Sequence, residues 1–477
     1  MGKTKVDGVF IKVIVDNSNP HIENLIENYD IEINESIAFD ISEKSLKFKN
    51  CNFIGSEISF FQNNSKKLDS LEVSETKKRF KKHKISLQFE NCSIENGLTI
   101  EKSNLNYLRF SEVKISSEIF NILSCSINFI SFSGGLNNYN SIKNLTIMNL
   151  KDDLEEKTFF SFERNIIKYF YLSYAYISQS WMTKNTIDSI NISDSFIDDL
   201  FILSNTIKEK SDIKKCDFTR INIKRSVFHK DFEFEDSNFK DNAVFENTSS
   251  LKNSSFKYLN VNFEKKVSFE NSILFSVKFE SVFFKEIVSF QNMECEYIDF
   301  NKTHFDKVGY FNDLTIKSPE KCSIGTLRTI KNQLNKTENK IDYLKFSVFE
   351  FNNLKNDRKT TKSDYALLWL NEYSNNFGTS WTRGICFTLI TGIVFFLILL
   401  IVNSFLNSNY PLCLNVYNES EEFSFTLNYF LKFVFNLGFN DKEIQSNGWL
   451  YFIFIFAKIF IGFGIYQTIQ AFRKYGK

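Results

Sequence analysis

Phenylalanines recur along this chain at a spacing of 21 residues. Written in rows of that length from Asn262, the sequence places phenylalanine repeatedly in the same three columns. The aligned residues are Phe263, Phe284 and Phe305; Phe269, Phe290 and Phe311; and Phe279 and Phe300. Upstream, Phe239 and Phe245 repeat the first two columns 24 residues earlier, which is one period with a three-residue insertion. A repeat of this length predicts a solenoid, in which each coil stacks on the one before it.

The composition favours a coil of short parallel strands over an antiparallel sandwich. The 477 residues include 55 Phe but only 16 Gly and 3 Pro, whereas the turns of a sandwich are normally marked by Gly and Pro. A period of this length fits four sides of about five residues each, paired backbone to backbone with the next coil. The aligned rings then point inward, where each removes roughly 150–250 Å² from water.

These rows resemble the pentapeptide-repeat family, whose members fold as right-handed, four-sided parallel β-helices. The resemblance is carried by the Phe centres of CDFTRINIKRSVF (216–228) and FEDSNFKDNAVF (234–245), with earlier echoes in FKNCNF (48–53) and FENCSI (89–94). It implies a β-solenoid over residues 40–317, and it specifies a fold without specifying a function. We expect residues 1–39 to form an N-terminal cap that includes a strand, VFIKVIV, at 9–15.

Residues 318–384 change to helical periodicity and are predicted to form an α-helical stalk. Apolar residues follow one another there at spacings of three, four and seven, and they are Ile330, Leu334, Ile341, Leu344, Val348, Phe351 and Leu354. A second helix fits 364–376. The turn that follows, from Phe377 to Arg383, resembles the "YG-S-x-x-R"-like turn of bacterial pentapeptide-repeat membrane proteins.

Two apolar segments, 385–402 and 449–466, come next, and each is long enough to be a transmembrane helix. Arg383 precedes the first segment and the basic tail 467–477 follows the second, whereas the loop between the two segments carries net negative charge. Because positive residues near membrane spans stay on the cytoplasmic side, we expect a multi-pass protein of the cell inner membrane with both termini cytoplasmic.

The loop 403–448 contains an aromatic-rich stretch, 423–441, that is too short and polar to span a membrane. One interpretation is an amphipathic helix on the outer surface, and the other is a re-entrant pore helix at 423–436 followed by a filter. The second resembles two-transmembrane potassium channels, which have Thr-Val-Gly-Tyr-Gly-Asp at the place held here by Asn436, Leu437, Gly438, Phe439, Asn440 and Asp441. Gly438 and Asp441 are identical to that motif, whereas Asn436 and Asn440 depart from it. Because Asn440 replaces a glycine, the resemblance does not imply potassium selectivity.

Lys458 lies in the middle of the second apolar segment, and Gly462 and Gly464 follow it. An intramembrane charge is by default a functional residue that lines a cavity or meets a partner. We therefore place Lys458 at the pore lining or gate, with snorkelling to the membrane surface as the alternative. The two glycines are either a hinge or points of close helix packing, and we favour close packing.

A basic run in a loop predicted at 65–84 is the candidate site for an anionic ligand. Its members are Lys77, Lys78, Arg79, Lys81, Lys82 and Lys84. Such a run is either a solvated loop or a site for phosphate in a nucleotide, an oligonucleotide or an anionic lipid. The histidines show no metal-ligand spacing, and no catalytic motif is visible, so we expect neither a metal, nor a cofactor, nor an enzymatic activity.

These features together predict a ligand- or partner-gated ion channel. A cytoplasmic β-solenoid would sense a nucleotide, an oligonucleotide or a protein partner, and the stalk would pass the signal to a two-helix pore in the lipid bilayer. One copy cannot enclose a channel, so we expect a homo-oligomer, most simply a tetramer. The plan is similar in architecture to membrane-disrupting effectors of bacterial anti-phage defence, including Hailong-type effectors, whose pore is controlled by a nucleotide-derived ligand. The alternative is a membrane-anchored solenoid scaffold for protein–protein interaction, with no pore.

Overall fold

The chain folds into a parallel β-solenoid of about 13 turns, followed by helices, two of which are long and apolar. This architecture comes from a computed structural model, which describes residues 3–18, 23–42, 44–62, 85–95, 97–135, 138–150, 158–406, 430–435 and 448–473. Two compact units divide the chain, Met1–Thr326 and Leu327–Lys477, and they are treated separately below.

Short strands build the solenoid, and within the described ranges each pairs in parallel with the strand one coil away. One sheet comprises Thr4–Asp7, Tyr29–Ile33, Ile37–Asp40, Asn52–Gly55, Ile58–Phe61, Ser93–Ile94, Leu98–Glu101, Lys114–Ile115, Phe120–Leu123, Asn140–Met148, Asn165–Ser173, Thr186–Ser193, Thr206–Ile207, Ser211–Lys214, Val227–Phe228, Phe232–Glu235, Ser249–Ser250, Ser255–Leu259, Ile273–Glu280, Glu294–Asn301 and Thr315–Ile316. The other comprises Glu23–Glu27, Ser45–Lys49, Ser86–Glu90, Asn104–Ser111, Ser126–Ser133, Phe159–Glu163, Tyr176–Thr183, Phe196–Leu203, Asp217–Lys224, Asn238–Phe239, Ala243–Glu246, Asn262–Phe263, Val267–Ser268, Phe283–Phe284, Val288–Ser289, His304–Phe305 and Gly309–Tyr310.

The predicted columns of phenylalanine are rows of stacked rings inside the solenoid, so the prediction of a β-solenoid is confirmed. Phe263 pairs in register with Phe284, and their ring centroids lie 5.2 Å apart. The centroids of Phe269 and Phe290 are 5.1 Å apart, with the two rings nearly parallel. All four of these side chains are buried. Each ring therefore gains both burial and stacking on its copy in the next coil.

Most coils have two residues with a left-handed backbone, and these residues turn the chain at the corners. At one corner Asn260, Ser281 and Lys302 have φ of 54°, 54° and 49°, and at the opposite corner Asn271 and Asn292 have 56° and 54°. Asparagine tolerates this region better than other residues with a Cβ. Corners built this way explain how a solenoid forms with so few Gly and Pro.

The residue after each left-handed corner points inward and is often small or polar. Asn165 Nδ2 donates to Asn185 Oδ1 at 2.8 Å, and Asn185 Nδ2 donates to Asn205 Oδ1 at 2.9 Å, which gives a buried amide row. Cys216 occupies the same kind of position, where its Sγ approaches Lys214 O at 3.2 Å. Burial raises the pKa of the Cys216 thiol to about 12. Such a buried thiol is an unreactive packing residue.

The N-terminal end of the solenoid carries a helix, α1 (Gly8–Asp16), so the prediction of a strand at 9–15 was wrong. Asp7 caps this helix by accepting a hydrogen bond from Val9 N at 3.1 Å. Ile11 and Val15, one helical turn apart, are fully buried. A solenoid must cover the open end of its core, and one face of this helix does so. The prediction of a strand followed from the many β-branched residues in 9–15, which on their own favour a strand.

Three helices follow the last coil: α2 (Ile324–Lys336), α3 (Lys340–Asn356) and α4 (Lys362–Asn375). The first apolar pattern was predicted as a single helix, but Glu338 (φ 57°) breaks it, and Asn339 caps α3 by accepting from Asp342 N. The second predicted helix, at 364–376, is confirmed as α4. Within the second unit Glu350, which is buried, accepts hydrogen bonds from Arg328 (2.7 Å) and Lys331 and so ties α3 to α2.

The last two helices are α5 (Trp381–Leu406) and α6 (Gly448–Phe472), and they contain the two predicted apolar segments. Their mean hydropathies over the most apolar stretch are 3.1 and 1.9, and each is long enough to cross a bilayer. Only 22% of each stretch is buried within the chain. The core helix of a soluble domain would be mostly covered, so these helices have apolar surface to offer to lipid or to other copies.

Candidate functional site

Glycines bring α5 and α6 into close contact. A Cβ added at Gly464 would lie 2.4 Å from Thr388 Oγ1, and a Cβ at Gly384 would lie 2.6 Å from Thr468 Oγ1. Gly464 is therefore a point of close packing between the two apolar helices. A Cβ at Gly462 would meet nothing within 4 Å. The two glycines predicted as a pair thus face different surroundings, and only Gly464 serves the contact between α5 and α6.

A helical segment from the loop, 430–435, packs against both apolar helices. Phe433 and Val434 are buried, at 0% and 2% exposure. They join one apolar cluster with Phe396, Leu399, Leu450, Ala457 and Ile461. Gly392 of α5 makes room for this segment, because a Cβ there would come within 2.8 Å of Val434 Cγ2.

The contact lies near the middle of the two apolar helices along their length. Gly392 stands 11 residues after Trp381, which is about 16 Å along α5 at 1.5 Å per residue. Lys458 stands 10 residues after Gly448 and 14 before Phe472, or about 15 Å and 21 Å from the ends of α6. A helix lying across the outer ends of α5 and α6 would not reach these positions.

Lys458 projects from α6 towards this segment. Its Nζ donates a hydrogen bond to the main-chain oxygen of Phe433. The ammonium also lies 5.6 Å from the ring centroid of Phe433 and 5.3 Å from that of Phe454. The charge is thus directed at a carbonyl dipole and two aromatic faces of its own chain. This arrangement can hold the loop segment at a fixed depth.

The stalk meets the apolar helices through a buried amide network. Asn375, at the end of α4, donates from Nδ2 to Gln467 O of α6 at 3.0 Å and also to Gln467 Oε1. Gln467 Nε2 donates in turn to Asn371 Oδ1 at 2.9 Å. Asn375 and Gln467 are both buried, so these hydrogen bonds are shielded from water.

The turn between α4 and α5 has three successive residues in the left-handed region. Asn376, Phe377 and Gly378 have φ of 52°, 56° and 85°. The two residues with a Cβ cost roughly 1–2 kcal/mol each in this conformation. Asn375 Oδ1 accepts from Gly378 N at 2.8 Å, and Phe377 stacks on Phe351 with centroids 5.2 Å apart. These contacts hold the strained turn in place.

The solenoid carries aromatic rings on its outer surface as well. Trp181 stacks on Phe201 of the next coil at 4.3 Å between centroids, and Arg220 lies over Phe201 at 5.9 Å. Tyr176 and Phe196 form a second outward pair at 4.8 Å. Aromatic side chains of this kind suit a protein contact, because they offer large area at low entropic cost.

Two of the predicted sites lie outside the residues that the structure describes. They are the filter candidates Asn436 to Asp441 and the anionic-ligand candidates Lys77 to Lys84. Within the described ranges, no group of three or more His, Cys, Asp or Glu side chains could hold a metal ion. The residues that sequence reasoning missed are Phe433, Asn371, Asn375 and Gln467. The position of Gln467 as the first polar residue after the apolar segment 449–466 was the available signal.

No protein-family model, curated protein or solved structure matches this chain. The fold nevertheless defines its class, a parallel β-solenoid followed by helices that include two able to cross a membrane.

Proposed function

We propose that this protein is a membrane ion channel in which the β-solenoid controls a pore built from α5, α6 and the loop between them. The observation that carries this proposal is the position of Phe433 and Val434 against the middle of both apolar helices. A loop segment that folds back to mid-span is what a pore helix requires. A membrane tether does not require such a loop segment, because two apolar helices alone would anchor a protein.

The position of Lys458 removes an objection to a cation pore. A ring of free ammonium groups would repel cations from the centre of the assembly. Lys458 is instead directed at Phe433 O and at two aromatic rings. The candidate filter 436–441 follows Phe435 directly in the sequence. In this proposal Lys458 holds the pore helix against α6, and its charge does not line the ion path.

The pore needs several copies of the chain, because two spanning helices cannot enclose a channel. A tetramer is the simplest assembly, as in the channels that the loop resembles. The large exposed fraction of α5 and α6 supports this, because it leaves apolar surface for both lipid and neighbouring copies. We further propose the cell inner membrane as the location, with both termini cytoplasmic, on the basis of the positive charges that flank the two helices.

The solenoid and stalk would regulate the pore. The buried contacts of Asn375 with Gln467 give the stalk a rigid hold on α6. A nucleotide or oligonucleotide bound at the basic run would provide the signal, and opening would then depolarise the membrane, as in an effector of bacterial anti-phage defence. A protein partner on the solenoid could replace the nucleic-acid ligand in the same scheme.

Ion flux from liposomes that contain the purified full-length protein tests the proposal. The informative variant is Gly392→Val, whose side chain would displace Val434 from α5, beside Ile390→Val, which changes an exposed position two residues away. We expect flux from the wild type and from Ile390→Val, and a loss of at least about tenfold in Gly392→Val, since overpacking costs about 1–3 kcal/mol. Wild-type protein that is inserted and oligomeric but never conducts ions would contradict the proposal.

The ligand is tested on the same liposomes with a panel of nucleotides and short oligonucleotides. Replacing the basic run Lys77, Lys78, Arg79, Lys81, Lys82 and Lys84 with glutamine should remove the response and leave ligand-free flux unchanged. A response that survives this replacement would place the ligand elsewhere.

A membrane-anchored scaffold is the second candidate function, and the outward aromatic pairs favour it. Trp181 with Phe201 and Tyr176 with Phe196 offer a ready surface to a protein partner. A scaffold requires no flux. Absence of flux combined with a partner that is lost in Trp181→Ser would support the scaffold over the channel.

A further inference from the structure

Helix α4 exposes an apolar face that no described part of the chain covers. Tyr365, Trp369 and Tyr373 follow one another at intervals of four residues, so they share one face, and they are exposed by 46%, 44% and 60%. Trp369 and Tyr373, one helical turn apart, touch each other with centroids 4.5 Å apart. A different side of α4 carries Asn371 and Asn375, whose side chains bond to Gln467 of α6.

Hydrogen bonds fix where the last turn of α4 lies along the length of α6. Both Asn371 and Asn375 bond to Gln467, which is the first polar residue after the apolar segment that ends at Tyr466. The last turn of α4 therefore lies where the apolar surface of α6 gives way to polar side chains. If α5 and α6 span a membrane, this level is the boundary between hydrocarbon and water.

The chemistry of the exposed face fits that boundary. Tyr and Trp are enriched at membrane–water interfaces because they combine an apolar ring with a polar tip. At the same end of the two apolar helices, Trp381 stacks on Phe472 at 5.3 Å, and both rings are exposed. Arg383 and Arg473 are close to these two rings in the sequence, and their positive charge attracts anionic headgroups.

We infer that the exposed face of α4 binds the interfacial layer of the membrane, with Tyr365, Trp369 and Tyr373 among the lipid headgroups. This surface rests on the proposed membrane placement and extends it, because it turns the end of the stalk into a lipid-binding element. α4 is then held on one side by lipid and on the other by α6. The lipid layer would thus share in setting the position of the pore helices.

Brominated lipids test this surface in the full-length protein reconstituted in phosphatidylcholine and phosphatidylglycerol vesicles. Trp369 is the reporter, and its signal is the difference between wild type and Trp369→Phe. We expect Trp369 emission to be quenched about twofold or more by bromines near the headgroups and less by bromines deep in the chains. The matched control is Trp181→Phe on the solenoid, whose difference signal should not be quenched by either lipid.

The competing occupant is a second copy of the chain, and cross-linking detects it. Tyr365→Cys, on the same face as Trp369, should form no more disulfide-linked dimer in vesicles than the parent protein, which retains its own cysteines. Unquenched Trp369, or efficient dimer formation by Tyr365→Cys, would overturn the inference.

Flux from the same vesicles separates this inference from the channel. Vesicles that conduct ions while Trp369 stays unquenched would keep the pore and eliminate the lipid surface. Quenched Trp369 in protein that never conducts would keep the lipid surface and eliminate the pore.

Discussion

Lys458 Nζ donates a hydrogen bond to the main-chain oxygen of Phe433, and this contact joins the middle of the second apolar helix to the loop that precedes it. Phe433 lies within the helical segment 430–435. Its main-chain oxygen carries partial negative charge, and a hydrogen bond from a cation to such an oxygen is stronger than one between neutral groups. The hydrogen bond from the Lys458 ammonium to this oxygen offsets part of the cost of removing the charge from water.

Removing this charge should detach the segment and reduce ion flux. Lys458→Met keeps the length of the side chain but loses a charge-assisted hydrogen bond worth about 1.5–3 kcal/mol. We expect flux from proteoliposomes to fall about tenfold or more. Lys432→Met is the matched control, because Lys432 is exposed on the same segment. Equal flux from Lys458→Met and wild type, at equal insertion, would show that Lys458 does not support the pore.

The two glycines of α6 should respond differently to the same substitution. Gly464→Val would force a branched side chain against Thr388, so we expect a loss of about 1–3 kcal/mol in the free energy of unfolding. Gly462→Val suffers the same change in helix propensity but points into open space. Unfolding of both variants in detergent measures the difference. Equal destabilisation would mean that close packing at Gly464 does not hold α5 and α6 together.

The rows of the solenoid could be predicted from the sequence because its period is carried by large identical side chains. Phe263 and Phe284 occupy equivalent positions in successive coils, so their register is visible without coordinates. The corners could not be predicted, because Asn260, Ser281 and Lys302 share a backbone conformation but no side-chain chemistry. The N-terminal helix was mistaken for a strand because its apolar run covers the end of a core that local sequence does not reveal.

The candidate site was only partly predictable for a related reason. Lys458 was recognisable as a charge in an apolar run, but its partner is a backbone oxygen, and any residue type at 433 supplies one. Asn375 and Gln467 are 92 residues apart in the chain, and neither belongs to a motif. Long-range contacts between polar side chains leave no periodic signal, so the connection between α4 and α6 required the structure.

The amides that join α4 to α6 should be energetically coupled. Asn375→Ala leaves Gln467 with unsatisfied buried groups, and Gln467→Ala does the same to Asn375, so each should cost about 1–3 kcal/mol. The double variant should cost about 1–2 kcal/mol less than the sum, as expected for residues in direct contact. Unfolding in detergent measures the cycle, with exposed Gln470→Ala as the neutral control. Additive effects would show that the two side chains act independently.

Tyr258 occupies a position in the core rows that phenylalanine fills in the neighbouring coils, Phe234 and Phe279. Its side chain is fully buried, and its Oη has no hydrogen-bond partner among the described residues. Burial raises the pKa of the Tyr258 hydroxyl well above its ordinary value, so the group stays neutral. A buried hydroxyl without a partner costs about 1–3 kcal/mol.

Tyr258→Phe should therefore stabilise the solenoid by about 1–2 kcal/mol, which is the desolvation cost of the hydroxyl. Hydrogen exchange of the amides in Ser255–Leu259, which pair with the next coil, measures this locally and should slow by about tenfold. Tyr174→Phe, at an exposed corner, should change nothing. Faster exchange in Tyr258→Phe would mean that the hydroxyl is solvated inside the core, and the continuous aromatic row would then have to admit water at this coil.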